Sequence, residues 1–168
     1  IQFCIPEGVK TIETLAFANC SLEELVIPSS VNSIENAAFG GSIKRLIVEE
    51  GNVAYYMHKG LLLTQDNKTV LRYAGDASPT EVPFGVTHIA TGAFARTDLA
   101  CITLPETVQI IGNGAFSDCD CLETIELSQG ITSIEQYAFY GCKKLKKLTG
   151  YENWNTGSVE SIAYMFNT

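Results

Sequence analysis

The sequence predicts a right-handed, β-rich solenoid, on three observations. A segment of 21 to 23 residues recurs five times along the 168-residue chain. Every copy places apolar side chains at the same positions, which is how a stacked coil fills a shared axis. A motif with so many apolar positions also accounts for a chain that is 46% hydrophobic and only 18% charged.

The copies run in order. Residues 5–26 read IPEGVKTIETLAFANCSLEELV and residues 27–47 read IPSSVNSIENAAFGGSIKRLI. After an interruption come 82–103, VPFGVTHIATGAFARTDLACIT; 104–126, LPETVQIIGNGAFSDCDCLETIE; and 127–149, LSQGITSIEQYAFYGCKKLKKLT. The first four begin with an aliphatic residue and Pro, which cannot donate to a β-ladder and so ends the preceding strand. V/I-x-x-I follows (Val9 and Ile12 in the first copy), a short strand or turn. Ala-Phe then drops a small and a large side chain into the axis at Phe17, Phe39, Phe94, Phe116 and Phe139. L-x-x-L-x-I (Leu22, Leu25, Ile27) closes the coil with the alternation of a half-buried strand. Repeats of this length with leucines at this spacing mark a leucine-rich-repeat solenoid.

Residues 48–81 do not fit a coil. They contain two strand-like runs, 60–64 and 69–73, around Gln65-Asp66-Asn67-Lys68, and read as a β-hairpin insertion. Three of the seven tyrosines lie here, Tyr55, Tyr56 and Tyr73. They are candidates for an exposed aromatic contact or for cover over the insertion's own core. The organisation is therefore one solenoid domain over 1–168: coils one and two (5–47), the hairpin insertion (48–81), coils three to five (82–149), and a partial, divergent repeat (150–168).

The pattern I-P-x-x-V-x-x-I-x-x-x-A-F-x-x-C-x-x-L closely resembles the BspA-like leucine-rich repeats of bacterial and protist surface proteins. Pro6, Val9, Ile12, Ala16, Phe17, Cys20 and Leu22 carry it in coil one, and Pro105, Val108, Ile111, Ala115, Phe116, Cys119 and Leu122 in coil four; coil five has Ser128 in place of Pro. Trp154-Asn155-Thr156 with Met165-Phe166 is similar to a different repeat of surface proteins. The resemblance implies an extracellular or cell-surface location and adhesion to host, matrix or other bacterial molecules. The first residues lack a basic stretch followed by an apolar one, so no signal peptide is read, and the chain is expected to be a piece of a longer array.

Cys20, Cys119 and Cys142 share one coil position with Ser42 and Thr97. They are therefore expected to be small buried side chains bonded to the next coil's backbone rather than halves of disulfides. No C-x-x-C occurs, and no His lies near Cys119-Asp120-Cys121, so neither a metal nor another cofactor is expected. His58 and His88 stand apart from any nucleophile, and neither G-x-S-x-G nor H-E-x-x-H is present, so no enzymatic role is read.

The net charge of −8 disfavours a nucleic-acid partner, and no apolar run approaches the length of a membrane span. Lys143, Lys144, Lys146 and Lys147 gather four of the 11 basic residues on coil five, opposite acids on earlier coils. The pattern reads as neighbour-to-neighbour charge pairing or as one polar binding face running along a single sheet. On the second reading the chain is a protein- or glycan-binding module. Its contact positions would be the outward strand residues Glu24, Val26, Arg45, Ile47, Thr124, Glu126 and Lys147, with Tyr55 and Tyr56. The alternative is a structural spacer that presents another domain.

Overall fold

The computed structural model describes residues 1–76 and 80–150. Short strands stack coil on coil, all parallel apart from the hairpin, and no helix occurs among the described residues. The L-x-x-L-x-L segments form the front of the stack. Gln2–Cys4, Glu24–Ile27 and Leu46–Val48 make one front ladder; Thr80–Glu81, Cys101–Thr103, Thr124–Glu126 and Lys147–Thr149 make another. Leu25, Leu46 and Ile125 turn inward and are buried. The V-x-x-I segments form the back, with Ile12 opposite Ile34 and Ile89 opposite Ile111.

Behind each Pro the chain folds into a tight turn, the Val amide donating to the Pro carbonyl in coils one to four at 3.0–3.3 Å. Where coil five has Ser128 instead, its buried hydroxyl donates to Val108 O (2.7 Å) and accepts from the Gly130 amide (3.1 Å). The phenylalanines form an aromatic column. Phe94 and Phe116 stack at 4.9 Å and Phe116 and Phe139 at 5.4 Å, while Phe17 and Phe39 stand 6.1 Å apart in the first two coils. Two left-handed residues aim this column. The residue two before each Phe has φ between 55° and 64° (Leu15, Ala37, Gly92, Gly114, Tyr137), and Asn19, Arg96, Asp118 and Gly141 repeat this two residues after it.

Coil two departs from that pattern. Ser21 pairs with Ser42 and Leu22 with Ile43, 21 residues apart, although the phenylalanines are 22 apart. One residue is therefore missing after Phe39, and Gly41, not Ser42, lies beside Cys20. A Cβ on Gly41 would sit 2.4 Å from Cys20 O and 2.6 Å from Cys20 N, so the deletion requires glycine.

The insertion contains the expected hairpin, Leu61–Thr64 antiparallel to Thr69–Tyr73. Asp66 accepts from the Lys68 amide and the Thr64 hydroxyl in the turn, and Asn67 supplies the left-handed residue (φ 57°). A third strand, Tyr55–His58, extends it on the other side. The insertion between the coils is built into the array. Thr69 and Val70 pair in parallel with His88 and Ile89, so hairpin and back ladder are one six-stranded sheet. Tyr73 occupies the phenylalanine column, its amide donating to Ala93 O at 2.7 Å just as Phe94 N donates to Ala115 O. Strand Leu61–Thr64 is buried on both faces: Leu61 and Leu63 enter the core of the C-terminal coils and Leu62 that of the N-terminal coils.

Candidate interaction surfaces

Glu24, Val26 and Ile47 lie on the outward side of the first front ladder, with Arg45 immediately before its last strand. Thr124, Glu126 and Lys147 lie on the second. The two ladders are separate sheets. Leu46–Val48 pairs only with Glu24–Ile27, and Thr80–Glu81 only with Cys101–Thr103, among the described residues. The expectation of one continuous face is therefore corrected: the hairpin continues the back of the stack, and no strand joins the two front ladders among the described residues.

Within each ladder the charges pair from one coil to the next. Lys44 meets Glu23 at 2.9 Å, Arg45 meets Glu24 at 3.2 Å, Lys143 meets Asp120 at 3.1 Å and Lys146 meets Glu123 at 3.5 Å. Lys44 also holds the Glu23 carboxyl below its ordinary range. Glu24 accepts a further bond from the Gln2 amide group (2.6 Å). Lys143 and Lys146 are thus matched to acids of the preceding coil, while Lys147 lies beside Thr124. Exposed pairs of this kind are each worth under about 1 kcal/mol.

Of the two roles open to Tyr55, it takes core cover, and its place among the outward contact positions is corrected. Its ring is 7% exposed and belongs to the N-terminal core, and burial pushes its hydroxyl pKa up. The Ile34 amide donates to that hydroxyl at 2.8 Å, so the phenol takes over where the back ladder of coils one and two runs out of backbone. Asn52 does the same for the turns. Its Nδ2 donates to Pro28 O and Val31 O, and its Oδ1 accepts from the Ala54 and Tyr55 amides. Tyr56 is half-buried, and its hydroxyl donates to Asn67 Oδ1 (2.7 Å).

The opening between the ladders was not foreseen. Two cavities, of about 410 and 470 Å³, flank the segment 73–76 there. Arg72, aimed by a β-bulge between Val70 and Arg72, is 2% exposed and forms part of one wall. Its guanidinium donates to Gly92 O (2.9 Å) and Gly41 O (3.1 Å), stapling coil two to coil three across the insertion. No carboxylate lies within ion-pair distance among the described residues, and Nε is without a partner. Burial pushes its pKa down to about 10, leaving it charged at neutral pH. The one available signal was a charged residue at a core position in the apolar strand Val70-Leu71-Arg72-Tyr73.

Cys119 and Cys142 are buried thiols that donate to Phe94 O and Phe116 O, each at 3.0 Å. The bonds run to the preceding coil rather than the next. Hydrogen bonding with Cys119, together with burial, pushes the Cys142 thiol up. Thr97 completes the row with a bond to its own coil's Phe94 O (2.8 Å). His88 Nδ1 lies 2.7 Å from the Thr87 hydroxyl. No cluster of three or more His, Cys, Asp and Glu suited to a metal occurs among the described residues, and no helix there is long and apolar enough to cross a membrane.

The family model of the BspA type leucine rich repeat region matches residues 1–54 and 72–167 in six copies. The chain belongs to the BspA-type leucine-rich repeat family. The match resumes at 72, where the structure returns the chain to the repeat column at Tyr73. The BspA-type repeats extend over Trp154; the different repeat read there lies outside the described residues. Among solved structures, the pneumococcal vaccine antigen PcpA is similar with a TM-score of 0.76 at 24% identity, over 88% of this chain and 46% of that one. A leucine-rich repeat protein from Eubacterium ventriosum gives a TM-score of 0.58 at 20% identity (88% and 54% covered). The Treponema relative, the T. pallidum leucine-rich repeat protein, gives 0.51 at 26% identity (99% and 73%). The chain spans about half the length of the first two. No curated protein sequence matches it.

Proposed function

We propose that this chain is an extracellular, non-enzymatic binding module of a bacterial surface protein that engages a protein or glycan through its front ladders. The supporting observation is the ordered polar front. Glu24, Thr124, Glu126 and Lys147 project from strands whose opposite faces are locked in the core, and Arg45 immediately precedes one. The side chains are therefore preorganised, and binding orders few additional groups. With strands about 4.8 Å apart, the two ladders offer on the order of 10 and 15 Å of strand stack. Family membership supports the surface location.

Presenting the recombinant chain to arrayed matrix proteins and glycans tests the reading. A partner should be retained, and Arg45→Ala with Lys147→Ala should weaken it while the unfolding midpoint stays within a few degrees. Undiminished binding by this double variant removes the front from the interface. The second reading, a spacer presenting another domain, is favoured by the satisfied charge rows, which leave few unpaired charges for a partner. It predicts no retained partner and no loss of adhesion by the parent protein when two whole coils are deleted.

A further inference from the structure

We infer that the opening between the front ladders is a binding site for an oxyanion, a sulfate or carboxylate group, either free or carried on a larger ligand. The two cavities are lined by Lys44, Arg72 and Arg96 on one side of the segment 73–76 and by Arg45 and Lys59 on the other. Five of the chain's 11 basic residues thus meet at one junction of a protein with net charge −8. Only Asp76 and Asp98 of its 19 acidic residues join them among the described residues.

Lys44, Arg45 and Arg96 each hold one carboxylate that does not line either cavity: Glu23, Glu24 and Asp118. Arg72 is different. A buried guanidinium without a counter-ion is costly, because the interior gives back little of its lost hydration. Two carbonyls satisfy part of it and Nε is left unsatisfied. Arg96 stands close enough for its charge to be felt by Arg72, and its guanidinium reaches Gly40 O (3.2 Å) next to the Arg72 partner Gly41. Arg72 and Arg96 converge on one glycine pair beside a cavity of about 410 Å³; Asp118 already holds Arg96, so the charge that an oxyanion neutralises here is that of Arg72. Charge-assisted bonds to such a group are shorter and stronger than neutral ones. The front-face reading does not depend on this site, and the two fail separately.

Titration of the intact chain with sodium sulfate at fixed ionic strength, followed by amide and arginine NMR signals, tests the site. A sulfated disaccharide is titrated in parallel. Saturable shifts should centre on residues 41–44, 72–75 and 96–98. Arg96→Gln and Lys44→Gln should each weaken binding about tenfold, whereas Lys10→Gln, remote from the opening, should leave it unchanged. Tighter binding of the disaccharide assigns the group to a glycan, and equal binding assigns it to the free ion. Thermal unfolding of each variant separates lost binding from a loosened junction. Arg72, whose staple holds two coils, is left intact for that reason. A linear, non-saturating response, or equal loss in Lys10→Gln, overturns the site.

Discussion

Tyr73 stacks on Phe94 with ring centroids 5.7 Å apart and planes 23° from parallel, continuing the aromatic column of coils three to five into the insertion. Tyr73→Ala removes this ring from a fully packed axis. It should cost about 3–5 kcal/mol, whereas Tyr73→Phe, which keeps the stack, should cost far less. Urea unfolding of the two variants makes the comparison; similar midpoints would mean that the column does not hold the insertion in place.

Gly41→Ala should destabilise strongly because its methyl group meets the backbone of Cys20 and Phe17 at 2.4–2.6 Å. Gly40→Ala, whose Cβ meets Ala18 Cα at 3.4 Å, should be tolerated. A thermal midpoint for Gly41→Ala at or above that of Gly40→Ala would refute the one-residue deletion in coil two.

Asn52→Asp keeps the size of a buried side chain but removes the Nδ2–H groups that serve Pro28 O and Val31 O. It should cost at least about 2 kcal/mol at neutral pH, two carbonyls losing their donors beside a new buried charge. Tyr55→Phe frees the Ile34 amide and drops the long bond from the phenol to Asn32 O, and should cost about 1 kcal/mol. Amide hydrogen exchange at Ile34 should accelerate selectively in Tyr55→Phe, and unchanged protection there would remove the proposed role of the phenol.

Three exposed carboxyls are held below their ordinary values: Glu35 by the Thr14 amide and hydroxyl, Asp66 by the Thr64 hydroxyl and the Lys68 amide, and Glu23 by Lys44. A carboxyl whose folded value lies below its unfolded one stabilises above the unfolded value, and that contribution is lost as pH falls through the folded one. Stability should therefore decline as pH drops below the ordinary 4.5 of Glu and 3.8 of Asp. Glu35→Gln with Asp66→Asn should flatten the decline. Superimposable pH profiles for this double variant and the parent would show that these bonds make no difference to folding.

The sequence made the repeat legible because a coil imposes the same apolar positions each time, and the hairpin because Gln65-Asp66-Asn67-Lys68 has the chemistry of a turn. It concealed what depends on register. Aligned on Ala-Phe, Ser42 matches Cys20, and only the shorter step from Phe39 to Ile43 than from Phe17 to Leu22 marks Gly41 as the residue that takes that place. The left-handed positions are filled by Leu15, Ala37, Gly92, Gly114 and Tyr137, so no residue type marks them. Tyr55 and Tyr56 are adjacent and alternate in facing. Only the partner of each strand face decides that one ring is core and the other half-exposed. The front residues were legible as outward, since strand alternation fixes that, but the break between the ladders was not, because it follows from which edge of the stack the hairpin joins.

The strand Leu61–Thr64, buried on both faces, also bears on how an array of this kind changes in length. An ordinary coil offers its two neighbours nearly the same surface, so whole periods can be gained or lost with little new chemistry at the join. The hairpin offers Leu62 to one side and Leu61 with Leu63 to the other, and the two are not interchangeable. Copy number is therefore free to drift outside residues 48–81, while the insertion itself admits no duplication without two unlike surfaces being brought together.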